Sequence, residues 1–473
     1  MSETDGQMLG ITVLPEYFQV EGVERVLDNC QDVAGATAIT TSPYVMRLSN
    51  PEEGQREPPI DAGAGDVRLL DRPLWGKREL FVSTSPSFHA NKSLYINTCY
   101  QPPQGDKLTE TEGEIVAEAL SMMKSRGLKT FFQVQAAIPP GYRVQFSGVV
   151  KKDEPLLPNG RQVDNRVAAN ASLASEDVLN YQIALIKDLF QQYPNVDGVR
   201  IDWPEYPPYK LDSAFLDFNP QVSRWCLDEK EFSDIRQVVS EAYHWLHGNL
   251  TDEHVRELTS LEALSDTFHN LGFHQGLSQW LKLKQRLVTN YIERVRTALD
   301  DSGFKDRLLV PHAFPPPFHY LSGIDYGAIG EFSDHIAVKM YTMHWSMIAR
   351  FYLDQLAQAN PSTKEDALIK MVYSLLEISD EPGPSEIQNV KYPGPDDPQL
   401  PTAKVQQKKF AVAQQQAGDT QLAALVHGYG PVEEFASRFR TAYKAAGNFA
   451  WVNRYCYLSD SKLRVLGEIT HGS

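Results

Sequence analysis

Hydrophobic and polar positions along this chain follow two alternating periods. Short apolar runs rich in β-branched residues, such as LGITV from Leu9, have the composition of buried strands. Longer stretches place apolar residues three and four positions apart. One of them, residues 111–127, opens on acidic residues and ends at a glycine, which are the start and stop signals of a helix. The pattern therefore predicts strands and helices in alternation.

Eight strand-like runs occur along the chain. They read LGITVLPEYF, ATAITTSPYV, LKTFFQVQAAIPP, VDGVRIDWPEYPPY, RLLVPHAFPPP, HIAVKMYTMHW, QLAALVHGYGP and NFAWVNRYCYL. Because most of them are followed by a helical stretch, they predict the α/β class and a (β/α)8 TIM barrel. The spacing also fits a doubly wound sheet. No G-x-G-x-x-G opens the first helix, however, and no G-x-x-x-x-G-K-[ST] occurs, so the usual nucleotide-binding motifs of that fold are missing.

Two long segments interrupt the alternation. A Pro/Gly-rich insertion of about residues 47–105 follows the second strand and contains the strand-like pieces RELFVSTS and SLYINTCY. A mostly helical insertion of about residues 207–300 follows the fourth strand, and a Pro-rich surface loop covers about residues 380–402. We predict a single catalytic domain over residues 1–473, a TIM barrel with long insertions after strands 2 and 4.

Composition narrows the class of partner. The 473 residues include 45 Lys and Arg against 61 Asp and Glu, a net charge of −16. A phosphate-backbone binder normally has the opposite sign, so we expect no nucleic acid and no membrane among the partners. No apolar stretch is long enough to span a bilayer and the N-terminus lacks a secretory pattern, so a cytoplasmic location is expected. The long insertions offer surfaces for a homo-oligomer.

The cysteines indicate reduced thiols. Cys30, Cys99, Cys226 and Cys456 are far apart and form no C-x-x-C pair, which argues against a thiolate zinc site.

Polar and aromatic residues gather where the predicted strands end. In a TIM barrel these ends meet at one face, which is where such enzymes carry their active sites. The fourth run is the richest, with Arg200, Asp202 and Glu205 beside Trp203 and Tyr206. Carboxylates perform the proton and nucleophile chemistry of glycoside hydrolysis, and aromatic faces stack on sugar rings. The mixture favours a carbohydrate substrate.

Alternation along the fourth strand assigns roles to its charges. Arg200 and Asp202 share one face, which we place inside the barrel near its top. Pro204 lacks an amide donor and ends the ladder, so Glu205 is expected on a loop that turns back over the site. We expect Arg200 to keep Asp202 ionised and the neighbouring aromatics to raise the pKa of Glu205.

These considerations define the predicted site. Asp202 is the nucleophile or base, Glu205 is the general acid, and Glu16 is the reserve carboxylate. A buried structural ion pair of Arg200 with Asp202 is the plainer reading, as is a solvated Glu205. The predicted substrate-binding residues are Arg200, Trp203, Tyr206, Tyr17, His312, Lys339, Tyr341, His427, Tyr429, Trp451 and Asn453.

The stretch DGVRIDWPEYP, from Asp197, resembles a motif of known sugar-active barrels. It is similar to the fourth-strand motif of the family-ten-like glycoside hydrolases, roughly Asp-Gly-Ile-His-Leu-Asp-Tyr-x-Arg-Tyr-Pro. It also resembles the chitinase motif Asp-Gly-x-Asp-x-Asp-Trp-Glu-Tyr-Pro, with KMYTM and Trp451 echoing that family's later strands. The chitinase motif has an acid where Arg200 stands and its catalytic Glu where Pro204 stands. The resemblance implies a TIM-barrel glycosidase.

Two other functions stay open. A metal-assisted barrel enzyme, such as an isomerase, aldolase or hydrolase, would use Glu16, Asp202, His312 and His427 as ligands. A catalytically silent barrel would bind sugar without turnover. The leading reading requires no cofactor and no metal. Two groups are expected outside the site, namely His244, His247 and His254 facing solvent, and Trp225, Trp245 and Trp280 in the core.

Overall fold

The computed structural model describes residues 6–59, 68–142 and 148–472. Within these ranges the strands are β1 (Met8–Thr12), β2 (Ala38–Thr41), β3 (Tyr44–Leu48), β4 (Gln55–Glu57), β5 (Leu80–Pro86), β6 (Lys129–Gln135), β7 (Gly198–Asp202), β8 (Leu308–Ala313), β9 (Ile336–Met340), β10 (Leu422–His427) and β11 (Phe449–Asn453).

The helices of the same ranges separate most of these strands. They are α1 (Pro15–Glu21), α2 (Val23–Leu27), α3 (Lys107–Glu112), α4 (Glu114–Ser125), α5 (Glu176–Gln192), α6 (Leu211–Ala214), α7 (Glu229–Leu246), α8 (Asp252–Glu257), α9 (Leu261–Asn270), α10 (His274–Asp300), α11 (Phe318–Ser322), α12 (Tyr326–Gly330), α13 (Thr342–Ala359), α14 (Glu365–Leu376), α15 (Ala403–Ala417), α16 (Val432–Ala445) and α17 (Asp460–His471).

Eight of the strands close into a parallel barrel. The order around it is β1, β2, β6, β7, β8, β9, β10 and β11, and β11 returns to pair with β1. These are the eight runs recognised in the sequence, so the predicted (β/α)8 barrel is confirmed. Strands of this kind are covered on both faces, which is why runs such as LAALVH in β10 are apolar throughout and buried at every position.

The barrel interior is filled by side chains from opposite walls. A Cβ on Gly10 of β1 would lie 2.1 Å from the Trp451 ring of β11, so the indole occupies the space that the glycine leaves. The Arg200 guanidinium of β7 lies 3.9 Å from the centre of the same ring. Since β7 and β11 are not neighbours in the barrel, this contact crosses the interior and places Arg200 inside, as predicted.

The segment after β2 carries a small sheet of its own. Strands β3, β5 and β4 pair antiparallel in that order, and RELFVSTS contributes β5. The prediction of a second strand in this segment, over SLYINTCY, is wrong. Lys92–Tyr95 form a 3-10 helix, because the Asn91 side chain accepts a hydrogen bond from the Ser93 amide and starts a turn. Helices α6 to α10 follow β7, and one short 3-10 turn interrupts the Pro-rich stretch, at Ile387–Asn389.

One apolar core connects the described elements, from Leu9 in β1 to Ile469 in α17. None of the helices in the described ranges combines the length and the apolar character that crossing a bilayer requires.

Candidate active site

Asp202 ends β7 at the carboxyl face of the barrel. Its carbonyl accepts a hydrogen bond from the Ala136 amide, which extends the β6–β7 pairing by one residue. The side chain is 18% exposed. All other residues of the predicted site are buried, so Asp202 is the member of the set that is open to a ligand.

Two neighbouring strands supply the partners of this carboxylate. Lys339 Nζ of β9 and His312 Nδ1 of β8 lie 3.1 Å and 3.0 Å from Asp202 Oδ1. Burial alone would raise the pKa of Asp202, but the charge of Lys339 and the contact with His312 outweigh it and hold the pKa well below its usual range. Asp202 is therefore ionised, as predicted.

The main partners of the ionised carboxylate differ from the predicted one. Arg200 Nη1 donates to Thr12 Oγ1 at 3.1 Å and its plane lies over Trp451, and the described residues include no Arg200–Asp202 ion pair. Burial lowers the pKa of Arg200 to about 9. Residues 200 and 202 share a face, yet they lie at different depths, and the lysine rather than the guanidinium reaches the carboxylate.

His312 is a neutral donor in this arrangement. Burial lowers its pKa to about 4, against the opposing effect of Asp202. A carboxylate oxygen can only accept, so Nδ1 carries the proton, and Nε2 keeps its lone pair.

Glu205 lies behind Asp202 and is fully buried. Lys339 Nζ donates to Oε1 at 3.1 Å, while the Phe314 amide and Ser322 Oγ donate to Oε2 at 3.2 Å and 2.8 Å. Burial raises the pKa of Glu205, as predicted, although its three donors oppose that rise. Lys339 Nζ therefore bridges the two carboxylates, 3.1 Å from Asp202 Oδ1 and 3.1 Å from Glu205 Oε1.

The structure differs from the prediction in what surrounds Glu205. A loop carboxylate turned over the cleft was expected, whereas the residues around 314–322 cover it and use both of its oxygens. An enclosed carboxylate with these donors holds Lys339 in place.

Glu16, Tyr17 and Trp451 are also enclosed. Glu16 is fully buried and accepts from the Tyr44 hydroxyl at 3.1 Å. Tyr17 donates to the Arg72 carbonyl at 2.9 Å, and Trp451 donates to His335 Nε2 at 3.2 Å deep in the barrel. The prediction that these two rings stack on a sugar is therefore not met, because each packs into the core.

The remaining predicted binders form two groups beside the carboxylate. Trp203 packs edge-on against Tyr209, while the Tyr206 hydroxyl donates to Asp217 at 3.0 Å and is a structural contact. Tyr341 accepts from Asn453 Nδ2 at 2.9 Å, which joins β9 to β11 at the barrel top.

His427 and Tyr429 belong to a cluster that the sequence did not reveal. Arg68 Nη2 lies 3.0 Å from His427 Nε2, and Arg68 Nε donates to the Tyr457 hydroxyl at 2.6 Å. Burial and the adjacent guanidinium hold the pKa of His427 well below its usual value. Arg68 is 359 residues from His427, and no local signal marks it.

The metal-ligand hypothesis joined four residues that the structure separates. Asp202 and His312 meet, but His427 faces the cation of Arg68 and Glu16 accepts from Tyr44. Among the described residues no group of three or more His, Cys, Asp or Glu is placed to hold a metal ion.

The six residues expected outside the site agree in part with the structure. Trp245 and Trp280 are buried and Trp225 is half-buried. His244 is exposed, whereas His247 is half-buried, because it stacks on Tyr243 and lies 2.9 Å from Asp212. His254, which packs beside Trp245, is half-buried as well.

Several polar atoms at the carboxyl ends of the strands have no hydrogen-bond partner among the described residues. They are Gln133 Oε1 and Gln135 Oε1 of β6, Nε and Nη2 of Arg200, His312 Nε2 and Asn453 Oδ1. The group combines acceptors with donors on four strands around Asp202.

No protein-family model and no curated protein matches the chain. Solved structures similar to it include the β-amylase catalytic domain of Paenibacillus polymyxa, 11% identical, with 98% of this chain and 97% of that one covered and a TM-score of 0.49. A β-galactosidase of Marinomonas ef1 is 12% identical, with 95% of this chain and 54% of that one covered and a TM-score of 0.48. A class V chitinase of Pseudomonas fluorescens Pf-5 is 10% identical, with 97% of this chain and 98% of that one covered and a TM-score of 0.41.

This chain thus spans about half the length of the β-galactosidase it is similar to. The similar structures are glycoside hydrolases, and at these identities the likeness concerns the fold alone.

Proposed function

We propose that this chain is a glycosidase-like enzyme that cleaves a glycosidic bond in an oligosaccharide or glycoside, with Asp202 as its nucleophile or base. One observation carries the proposal. Asp202 ends a barrel strand, is 18% exposed, and is held ionised by Lys339 and His312. A charged carboxylate at the carboxyl face of a barrel is the group that attacks an anomeric carbon or activates a water molecule.

The surrounding hydrogen-bonding capacity supports a carbohydrate. Sugar hydroxyls donate and accept at once, so they match a wall that offers both kinds of atom. Gln135 Oε1, His312 Nε2 and Asn453 Oδ1 are acceptors that have no partner among the described residues, while the Arg200 guanidinium lies deeper in the barrel, over Trp451.

Glu205 acts in this proposal as a positioning residue. Its carboxylate fixes Lys339 Nζ, and the lysine in turn fixes Asp202. This role differs from the general acid predicted from the sequence, and the two roles have different kinetic consequences.

The catalytic unit is proposed to be the whole chain. Residues 8–12 pair with residues 449–453, so the barrel closes only when both ends of the sequence are present. The insertions after β2 and β7 belong to the same domain in this reading.

The experiment is a panel of aryl glycosides and oligosaccharides incubated with the wild type, Asp202→Asn and Asp197→Asn. Asp197 lies directly before the same strand, at the opposite face of the barrel, pairs with Lys124, and serves as the matched control. We expect turnover of at least one glycoside by the wild type and the control, and a loss of about 10³-fold in Asp202→Asn. Equal rates for the three proteins would refute the role of Asp202.

Glu205→Gln separates its two roles when leaving groups are compared. Loss of a general acid slows poor leaving groups and spares activated ones such as 2,4-dinitrophenolate. A positioning role predicts instead the same fractional fall in kcat for both substrates, with KM unchanged.

A sugar-binding barrel without turnover is the second candidate. It is favoured by the enclosure of Glu205 and Glu16, which leaves one open carboxylate of the three predicted. Saturable sugar binding with no hydrolysis across the panel supports it.

A further inference from the structure

A large apolar cavity lies outside the barrel, between the helices that follow β7 and the pair α13 and α14. Its volume is about 680 Å³. The walls include Phe215, which follows α6 directly, Trp280 of α10, Tyr352 of α13 and Leu375 of α14. Cavities of roughly 300–1,000 Å³ with such walls are the usual size for one small apolar ligand.

Helix α9 covers one side of this cavity and contacts the core through two part-buried side chains, Leu264 and Phe268. None of its ten residues is buried. Leu264 and Phe268 nevertheless lie one turn apart and line the cavity, so the apolar face of α9 is turned toward it. Leu261 of α9 and Tyr320 of α11 also line it and are 42% and 41% exposed. A ligand inside would remove this apolar surface from water.

A lysine lies at the cavity. Lys282 is exposed, and the lining residues include no Asp or Glu. In a chain of net charge −16, a cation with no acidic neighbour in the lining favours an anionic group at the opening.

The size of the cavity favours a small molecule as its occupant. A volume of about 680 Å³ lies within the range of sites that hold one drug-sized ligand, and one flexible aliphatic molecule is of that class.

We propose that this cavity binds a single amphiphile, with its aliphatic chain among the helices and its carboxylate head beside Lys282. The site is separate from the barrel mouth and does not depend on the function proposed there. The ligand class is a medium- or long-chain fatty acid or a molecule with the same parts.

The test is a fluorescence titration of the full chain with cis-parinaric acid, followed by displacement with dodecanoate or dodecanol. We expect saturable one-to-one binding and displacement by both, with dodecanoate the stronger. Leu264→Trp, which fills the cavity, should weaken probe binding at least tenfold, whereas Leu271→Trp, which lies just beyond α9 and outside the lining, should not. Circular dichroism melts establish that each variant is folded.

The head-group contact is tested by Lys282→Gln, with Arg286→Gln as control. Arg286 is exposed on the same helix and does not line the cavity. Lys282→Gln should weaken dodecanoate several-fold and leave dodecanol unchanged, and an equal effect on both would overturn the carboxylate assignment. Absence of saturable probe binding, or binding that Leu264→Trp leaves intact, would overturn the site itself. If Leu264→Trp does not fold, Leu261→Asp at the exposed rim takes its place with the same expectation.

Discussion

Replacing Lys339 by methionine removes the cation on which the candidate site depends. Lys339 Nζ lies 3.1 Å from both Asp202 Oδ1 and Glu205 Oε1, and Glu205 is fully buried. In Lys339→Met, Glu205 keeps only the donors from Phe314 and Ser322. Removing one partner of a buried ion pair leaves the other charge uncompensated, and we expect a loss of about 3–5 kcal/mol in the free energy of unfolding.

The loss should depend on pH in a defined direction. Burial raises the folded-state pKa of Glu205, so its contribution to stability is present below its unfolded pKa of about 4.3 and is lost as pH rises through the folded value. Without Lys339 the folded pKa rises further. The low folded pKa of Asp202 contributes stability above about pH 3.9, and part of that contribution disappears with the lysine. The Glu205 effect makes the deficit larger at pH 8 than at pH 5, whereas the Asp202 effect is the same at both pH values because both lie above about pH 3.9.

Urea unfolding of the variant and the wild type at these two pH values measures the effect. Lys124→Met is the matched control, because Lys124 pairs with Asp197 directly before β7 and the lysine side chain is 48% exposed. An exposed pair contributes about 0–1 kcal/mol, so the control should change little. A Lys339→Met variant within about 1 kcal/mol of the wild type at both pH values would show that the pairing is not a buried one.

Three further predictions concern the barrel and its site. Gly10→Ala would place a Cβ 2.1 Å from the Trp451 ring, so we expect it to lower stability by at least about 1–3 kcal/mol in thermal melts, and an unchanged midpoint would contradict the packing. Ser322→Ala removes a 2.8 Å donor from the buried Glu205 and should cost about 1–3 kcal/mol, whereas a change within about 0.5 kcal/mol would count against that contact. Burial lowers the pKa of His312 to about 4, so the pH profile of kcat/KM on the best glycoside should show no ionisation near the ordinary histidine pKa of about 6.5. An ionisation of His312 at that pH would contradict its assignment as a neutral donor.

The eight barrel strands were predictable from the sequence because parallel strands are covered on both faces. Their apolar runs are continuous and end at polar or Pro-rich residues, as in β8 and β10. The position of Arg200 inside the barrel also followed from the alternation of side chains. SLYINTCY was predicted to be a strand from its apolar composition. It forms a 3-10 helix instead, because the Asn91 side chain makes a local hydrogen bond that starts a turn.

The partners in the site were not predictable in the same way. Lys339 is 134 residues from Glu205, and nothing near either residue indicates their contact. Arg200 is two residues from Asp202, which made it the natural candidate for an ion pair. The end of the fourth strand before Pro204 was predicted correctly. The burial of Glu205 beneath residues 314–322 was not, because it depends on a tertiary contact that leaves no local pattern in the sequence.

The most direct measurement of the central claim is kcat for Asp202→Asn on the best substrate of the panel, together with kcat for Asp202→Ala with and without added azide or formate. We predict a fall of about 10³-fold in Asp202→Asn with KM near the wild-type value, and partial recovery of Asp202→Ala when the small anion takes the place of the missing carboxylate. A kcat within tenfold of the wild type, in a folded Asp202→Asn protein, would contradict the assignment of this residue as the catalytic carboxylate.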